Sequence, residues 1–121
     1  VANTNMKTKV SVDTSAMCFN PVTKRFEVVQ SKREDMSINL YSIAPEDWET
    51  AEWRFEGRLF KRGGKFYATA DGFHTGGAVM DEARGVQHVF FYCGKPGGPA
   101  GVFRLTRSLD TPKLSAVLTV E

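Results

Sequence analysis

The most apolar stretch of the chain reads Val86-Gln87-His88-Val89-Phe90-Phe91-Tyr92-Cys93. In an extended strand successive side chains point to opposite faces, so this stretch places large apolar groups on both faces. A short run of this kind, bounded by Gly85 and Gly94, is typical of a strand buried on both sides. We therefore expect 86–93 to be a central strand of a sheet.

Shorter segments of alternating apolar and polar residues lie on both sides of this strand, separated by turn-forming residues. The further segments predicted as strands are 7–13, 25–30, 37–43, 53–60, 65–70, 102–107 and 114–120. Short helices are predicted at 45–52, where Pro45 suits the first turn, and at 78–84, where Gly85 would end the helix. The pattern predicts a mainly β fold, an antiparallel sandwich or open barrel of about seven strands with one or two short helices, with α+β as the alternative class.

The chain has 121 residues, of which 41% are hydrophobic and 25% charged, which suits one globular domain. We expect residues 1–6 to be a flexible N-terminal segment and residues 7–121 to form a single β-rich domain. The net charge is +2 and the pI is about 8.6, below the pI above about 9 that marks a dedicated duplex-DNA binder. No apolar run approaches the roughly 20 residues that span a bilayer, so no membrane association is predicted.

Two cysteines, Cys18 and Cys93, are too few for the usual secreted disulfide scaffold. We expect two reduced thiols and a cytoplasmic location, while a disulfide between them and secretion after removal of a leader stay open. Cys18, Cys93, His74 and His88 are the soft metal ligands of the chain, and no two have the spacing of a zinc site. No metal and no cofactor are predicted.

The strongest hairpin signal surrounds Arg62-Gly63-Gly64, between the segments 53–60 and 65–70. Strict alternation places one set of side chains on a common face: Arg54, Glu56, Arg58, Phe60, Lys65, Tyr67 and Thr69. A basic sheet face with aromatic rings is how several modules hold single-stranded nucleic acid, because bases stack on the rings and cations neutralise phosphates. The predicted binding residues are Arg54, Arg58, Phe60, Lys65 and Tyr67. The alternative is that Phe60 and Tyr67 pack beneath the helix at 45–52 or against a protein.

Two loops carry the remaining candidate chemistry. Asp71 and His74 lie in a turn-rich stretch that could bind a ligand or serve in acid–base catalysis. Lys95 lies in the Gly/Pro-rich loop 94–101, whose residue order differs from that of a P-loop and whose prolines lack N–H donors. No nucleophile and base are paired by the sequence, so no catalytic residue is assigned and an enzyme is the less favoured class.

These patterns favour a non-enzymatic binding module that engages a protein partner, or self-associates as a homo-oligomer, through a sheet face or edge. Binding of single-stranded nucleic acid through the basic and aromatic hairpin face is the first alternative. A small-molecule enzyme that uses the His74 loop is the second.

Overall fold

The computed structural model describes residues 12–32, 37–49, 52–60, 73–93 and 101–120. They form two four-stranded antiparallel sheets, in each of which the strands follow one another in chain order. The first sheet contains β1 (Val12–Asn20), β2 (Arg25–Lys32), β3 (Ser37–Ile43) and β4 (Arg54–Phe60). The second sheet contains β5 (Phe73–Asp81), β6 (Val86–Cys93), β7 (Gly101–Ser108) and β8 (Ala116–Val120). The prediction of a mainly β antiparallel fold is confirmed.

The two sheets pack face to face as a sandwich, with β1 against β5 and β4 against β8. One apolar core lies between them and draws buried side chains from both sheets: Ala16, Val29, Ile38, Leu40, Leu59, Val89, Phe91, Phe103 and Leu105. Full burial of one such Val, Leu, Ile or Phe side chain contributes about 1.5–3 kcal/mol. As predicted, β6 is an internal strand. The prediction that it is buried on both faces is wrong, because only its inner face lies in the core and Tyr92 on its outer face is 50% exposed.

The same order of secondary-structure elements occurs in both halves of the described chain. Each consists of a hairpin, a third strand, a 3₁₀ helix and a fourth strand. The 3₁₀ helices are Pro45–Asp47 and Thr111–Lys113, and each has a proline in its first turn, where the missing N–H removes no helical hydrogen bond.

The two hairpins also share the design of their turns. The Asn20 side chain accepts a hydrogen bond from the backbone N–H of Val22 (2.8 Å), and that of Asp81 accepts one from the N–H of Arg84 (3.1 Å). Each turn ends in a residue with positive φ, 60° at Lys24 and 67° at Gly85. Because different residue types fill these roles, the sequence itself carries no recognisable repeat.

The prediction of a helix at 78–84 is wrong. Residues 78–81 belong to β5, which pairs with β6 from Phe73 to Asp81, and 82–85 form the hairpin turn. Most side chains of 78–84 favour a helix, but intrinsic propensity is small and yields to tertiary context, and here pairing with the edge of β6 outweighs it. The helix predicted at 45–52 is reduced to the single 3₁₀ turn Pro45–Asp47.

The first strand lies further along the chain than predicted. β1 runs from Val12 to Asn20, whereas alternation placed a strand at 7–13. Met17 and Phe19 on one face, and Ala16 and Cys18 on the other, give no polar–apolar alternation to detect. Residues 1–11, and the strand predicted at 65–70, lie outside the described residues.

Strict alternation fails in β4, because the pairing of β3 with β4 shifts register twice. Tyr41 pairs with Phe55 and Asn39 pairs with Arg58, which puts Phe55 and Arg58 on the outer face of the sheet. Arg54 pairs with Ser42 and lies on the opposite face, and Phe60 packs against the main core. The prediction that Arg54, Arg58 and Phe60 share one face is therefore wrong, since each bulge reverses the side-chain parity.

One of these irregularities requires glycine. Gly57 has a φ of 153°, which side-chain-bearing residues rarely adopt, and the Leu114 side chain occupies the space that a Cβ at position 57 would need. Leu114 follows the second 3₁₀ helix and packs against the core. The absent side chain at Gly57 thus lets β4 and the β7–β8 connection approach closely.

A fully buried ion pair joins the two sheets: Arg107 of β7 and Glu27 of β2 both have 0% exposed side chains. The Arg107 Nη1 donates to Glu27 Oε1 at 2.6 Å, and its Nε donates to Gln87 Oε1 at 2.8 Å. Three further donors satisfy the Glu27 carboxylate: Asn20 Nδ2 (3.0 Å), Thr23 Oγ1 (3.0 Å) and Thr111 Oγ1 (2.7 Å). Burial of two charges is tolerated because each is paired and hydrogen-bonded.

We predict that Arg107→Met destabilises the protein by about 3–5 kcal/mol, because it leaves the Glu27 charge buried and unpaired. The double variant Glu27→Leu/Arg107→Met should recover most of this loss, since it removes both buried charges. Denaturant unfolding measures both effects. Arg84→Met is the control, as Arg84 is exposed and should change stability by at most about 0.5 kcal/mol. A cost for Arg107→Met no larger than this control would contradict the prediction.

We predict that Gly57→Ala costs about 2 kcal/mol or more, because the backbone is strained and the new methyl group meets Leu114. Gly77→Ala is the matched control, since nothing lies near its Cβ position; it should be neutral or slightly stabilising. Thermal unfolding of both variants provides the comparison. Equal unfolding midpoints would show that β4 does not need its glycine.

Candidate functional site

The outer surface of the first sheet is apolar across several strands. One row of paired residues runs Phe19, Phe26 and Ile43, and the next runs Met17, Val28, Tyr41 and Phe55. Antiparallel pairing places neighbours of a row about 4.5–5.5 Å apart, so these side chains form a continuous surface. In a protein with a single core this face would be polar.

Aromatic contacts organise the two ends of these rows. The Phe19 and Phe26 rings meet edge to face with centroids 5.6 Å apart, and the Tyr41 and Phe55 rings are tilted with centroids 5.5 Å apart. Burial raises the pKa of Tyr41, so its hydroxyl is protonated at neutral pH. Phe55 is nevertheless 57% exposed, so its ring meets solvent beside its neighbour.

The chain between β3 and β4 crosses this surface and covers only part of it. Trp53 is 8% exposed and forms a second, smaller core with Val28 and Ile43. Trp48, which precedes it, is 44% exposed, and Met17 of β1 is 58% exposed. The crossing segment therefore buries the centre of the surface and leaves its margins open. We call this surface the outer apolar face; its exposed members are Met17, Phe19, Trp48 and Phe55, and its partly buried members are Phe26 and Tyr41.

A cavity of about 330 Å³ opens on the outer apolar face between β1, β2 and the crossing segment. Its described lining residues are Met17, Phe26, Pro45 and Trp48. This volume lies at the lower end of the roughly 300–1,000 Å³ found for ligand pockets. The lining offers an unbranched thioether, a pyrrolidine ring and two aromatic rings, which suits an apolar occupant.

Carboxylates neighbour the lining residues of this cavity along the chain. Glu46 and Asp47 belong to the 3₁₀ helix that begins at Pro45, and Glu49 follows Trp48; all three are exposed. Two arginines of the first sheet are engaged on its opposite side: Arg25 Nε donates to Ser42 Oγ at 2.9 Å, and Arg54 pairs with Glu56 at 2.9 Å. Although the chain as a whole carries +2, the segment that holds Pro45 and Trp48 is acidic, and we call its carboxylates the rim of the cavity.

The Glu56 carboxylate forms an ion pair with Arg54. Burial by itself would raise the pKa of Glu56, but hydrogen bonds from Arg54 and Ser42 outweigh burial and place that pKa below its ordinary value. Glu56 is therefore ionised at neutral pH and compensates Arg54. Because Arg54 is paired with Glu56, it does not neutralise the carboxylates of the cavity rim.

The outer face of the second sheet is different in kind. Exposed Val79 and Val117 occupy the ends of one row, but His88 and Thr106 lie between them. The next row carries Arg104. A further row pairs Tyr92 with Val102, which are 50% and 45% exposed. The exposed apolar residues of this face are thus one pair and two separate valines, which is ordinary for a solvated surface.

The residues predicted for nucleic-acid binding are not brought together in the described part of the chain. Arg58 lies on the outer face, Arg54 on the opposite face and Phe60 against the core. Lys65 and Tyr67 lie outside the described residues. Their joint role in binding single strands stays a prediction.

The loop candidates are only partly described, since Asp71 and Lys95 fall outside the described residues. His74 is half-buried in β5, at a position that pairs with Tyr92. His88 Nδ1 lies 2.9 Å from Thr106 Oγ1 on the outer face of the second sheet. Within the described residues neither histidine is hydrogen-bonded to an acid or a thiol, and an acid–base role for the His74 loop stays a prediction.

Cys18 is a free thiol, and Arg107 Nη2 donates to its Sγ at 3.4 Å. Burial raises the pKa of Cys18, and the nearby Arg107 charge lowers it only in part. The thiol is therefore protonated at neutral pH, unlike an activated nucleophile. Across the ranges that the structure describes, no three His, Cys, Asp or Glu side chains are placed to share a metal ion. None of the described helices has the length and apolar character needed to cross a bilayer.

Comparison with protein-family models, with curated proteins and with solved structures gives no significant match. The candidate site therefore rests on its own geometry.

Sequence reasoning missed most of the outer apolar face. Met17 and Phe19 lie outside the segments predicted as strands, and strict alternation puts Phe55 on the side of the hairpin opposite the predicted binding residues. One signal was present: the first half of the chain supplies large apolar residues at both parities of β1 and β2. A strand with apolar side chains on both faces either is covered by other parts of the protein on both faces or exposes one apolar face to solvent.

Proposed function

We propose that this chain is a non-catalytic binding module that docks on a partner protein through the outer apolar face. The observation that carries the proposal is the exposure of large apolar side chains at both ends of the row in which Val28 is buried against Trp53: Met17 at one end and Phe55 at the other, with exposed Phe19 and Trp48 near Met17. Large exposed apolar patches on soluble proteins commonly mark interaction sites. The outer face of the second sheet exposes smaller apolar side chains, apart from Tyr92.

The composition of the face also favours a protein partner. Phe19, Phe55 and Trp48 are large, exposed aromatic side chains, and aromatic residues and methionine are enriched in the cores of protein interfaces. Arg25 and Arg54 lie on the opposite side of this sheet, where Ser42 and Glu56 engage them, so they add no charge to the face.

The edge of the sheet supports the same assignment. Among the described strands, β1 is the outermost of the first sheet, and it presents Met17 and Phe19 on the outer face. A partner strand that paired with this edge would extend the sheet and place its own alternate side chains beside the apolar face. Face and edge could thus serve one partner.

We predict that peptides selected from a random display library on the wild-type protein lose affinity for Phe55→Ser by at least about tenfold, the effect expected for a hot-spot ring. Fluorescence anisotropy of the selected peptides measures the change. Phe55 is 57% exposed, so its replacement should leave the fold intact, which circular dichroism checks.

Val117→Ser is the matched control, because Val117 is similarly exposed on the second sheet. Its affinity for the same peptides should equal that of the wild type. Selected peptides that bind Phe55→Ser as well as the wild type, but fail on Val117→Ser, would place the binding surface on the other sheet and overturn the proposal.

We predict that the protein alone is monomeric from micromolar to millimolar concentration. A two-fold contact through the outer apolar face would bring the same patch of both copies together, and with it Glu46, Asp47 and Glu49 of each copy. Like charges in one interface are unfavourable. Light scattering measures the mass; a dimer that Phe55→Ser dissociates would show instead that a second copy occupies the face.

A further inference from the structure

We propose that the cavity of the outer apolar face binds one bulky apolar side chain of a partner peptide in which that side chain is flanked by lysine or arginine. This inference rests on the proposed function and names the chemistry of its partner. It follows from three features of the site: the size of the cavity, the character of its lining and the charge of its rim.

The size of the cavity limits the occupant. About 330 Å³ is near the lower bound for pockets that hold drug-sized molecules. The cavity lies open beside exposed Met17 and Trp48, so an occupant can enter from solvent while its backbone stays outside. This geometry suits a side chain delivered by a peptide rather than an enclosed cofactor.

The lining determines which side chain fits. Met17 is flexible and adapts its shape to an occupant, and its sulfur makes favourable contacts with aromatic rings. Phe26 and Trp48 offer ring surfaces, on which another aromatic side chain can stack. Pro45 has no backbone N–H to satisfy. A polar side chain would lose its hydration without replacement, so an aromatic or long aliphatic side chain is preferred.

The rim supplies the charge preference. Glu46, Asp47 and Glu49 are exposed within two residues of Trp48 in the chain. Cations on both sides of the anchoring side chain would neutralise these carboxylates. One of them could also lie over the exposed Trp48 ring, because indole is the strongest cation–π acceptor among side chains.

The test uses three labelled synthetic peptides: Gly-Lys-Lys-Phe-Lys-Lys-Gly, Gly-Glu-Glu-Phe-Glu-Glu-Gly and Gly-Lys-Lys-Ala-Lys-Lys-Gly. We expect the first to bind at least about tenfold more tightly than either of the others, because only the first satisfies both cavity and rim. Fluorescence anisotropy gives the dissociation constants. Raised salt should weaken binding of the first peptide, since exposed charges are screened.

Two variants separate rim from cavity. Glu46→Gln/Glu49→Gln should weaken the first peptide by about fivefold, as expected for the loss of exposed ion pairs, and should remove most of its advantage over the acidic peptide. Glu82→Gln, an exposed acid in the β5–β6 turn, is the matched control and should change nothing. Met17→Ser should weaken both phenylalanine peptides by removing one wall of the cavity.

The inference and the proposed function fail differently. Equal affinity for the basic and acidic phenylalanine peptides, with both weakened by Met17→Ser, would overturn the charge preference while the docking face stands. Equal affinity for the two basic peptides would show that the cavity takes no side chain and would also overturn the inference. Failure of all three peptides to bind would overturn it too, whereas the library selection with Phe55→Ser judges the docking face independently.

Discussion

The two sheets depend on one interaction, the buried pair of Arg107 and Glu27 with the polar groups that surround it. Every hydrogen-bond donor and acceptor in this cluster needs a partner, because an unpaired charge inside the sandwich costs several kcal/mol. Arg107 reaches Gln87 in its own sheet and both Glu27 and Cys18 in the other. These bonds form together only at one placement of the first sheet over the second. An apolar core tolerates small shifts between sheets, whereas this cluster does not, so it selects one stacking.

That stacking has a consequence for the surface. With the inner faces of both sheets committed to the common core, no other described strand covers the large apolar residues on the other side of β1, β2 and β3. The crossing segment buries Val28 and Ile43 beneath Trp53 but leaves Met17, Phe19 and Phe55 open. The candidate site is thus what remains after a segment of limited length has covered the centre of an apolar face. The carboxylates of the same segment then lie at its border.

The behaviour of β4 shows why side-chain parity alone misplaced the site. Alternation along 53–60 put Phe60 outside and Phe55 inside, and the structure has them the other way round. The cause is a pair of register shifts against β3, one of them next to Gly57, whose positive φ and missing side chain fit the approach of Leu114. A bulge depends on a partner strand and on packing from a distant part of the chain. Neither is visible in a local pattern of residues.

The sequence by itself determined the class of this protein: its short alternating segments and closely spaced turn residues specify antiparallel strands, and the bounds of β3 and β6 were predicted to the residue. These features are local, since they follow from the period of the strand and the geometry of turns. Only the tertiary structure decided that residues 78–81 form a strand, which face Phe55 occupies, and which apolar surface stays open. Those outcomes depend on pairing and packing between residues far apart in the chain, such as Glu27 and Arg107, and no local preference encodes them.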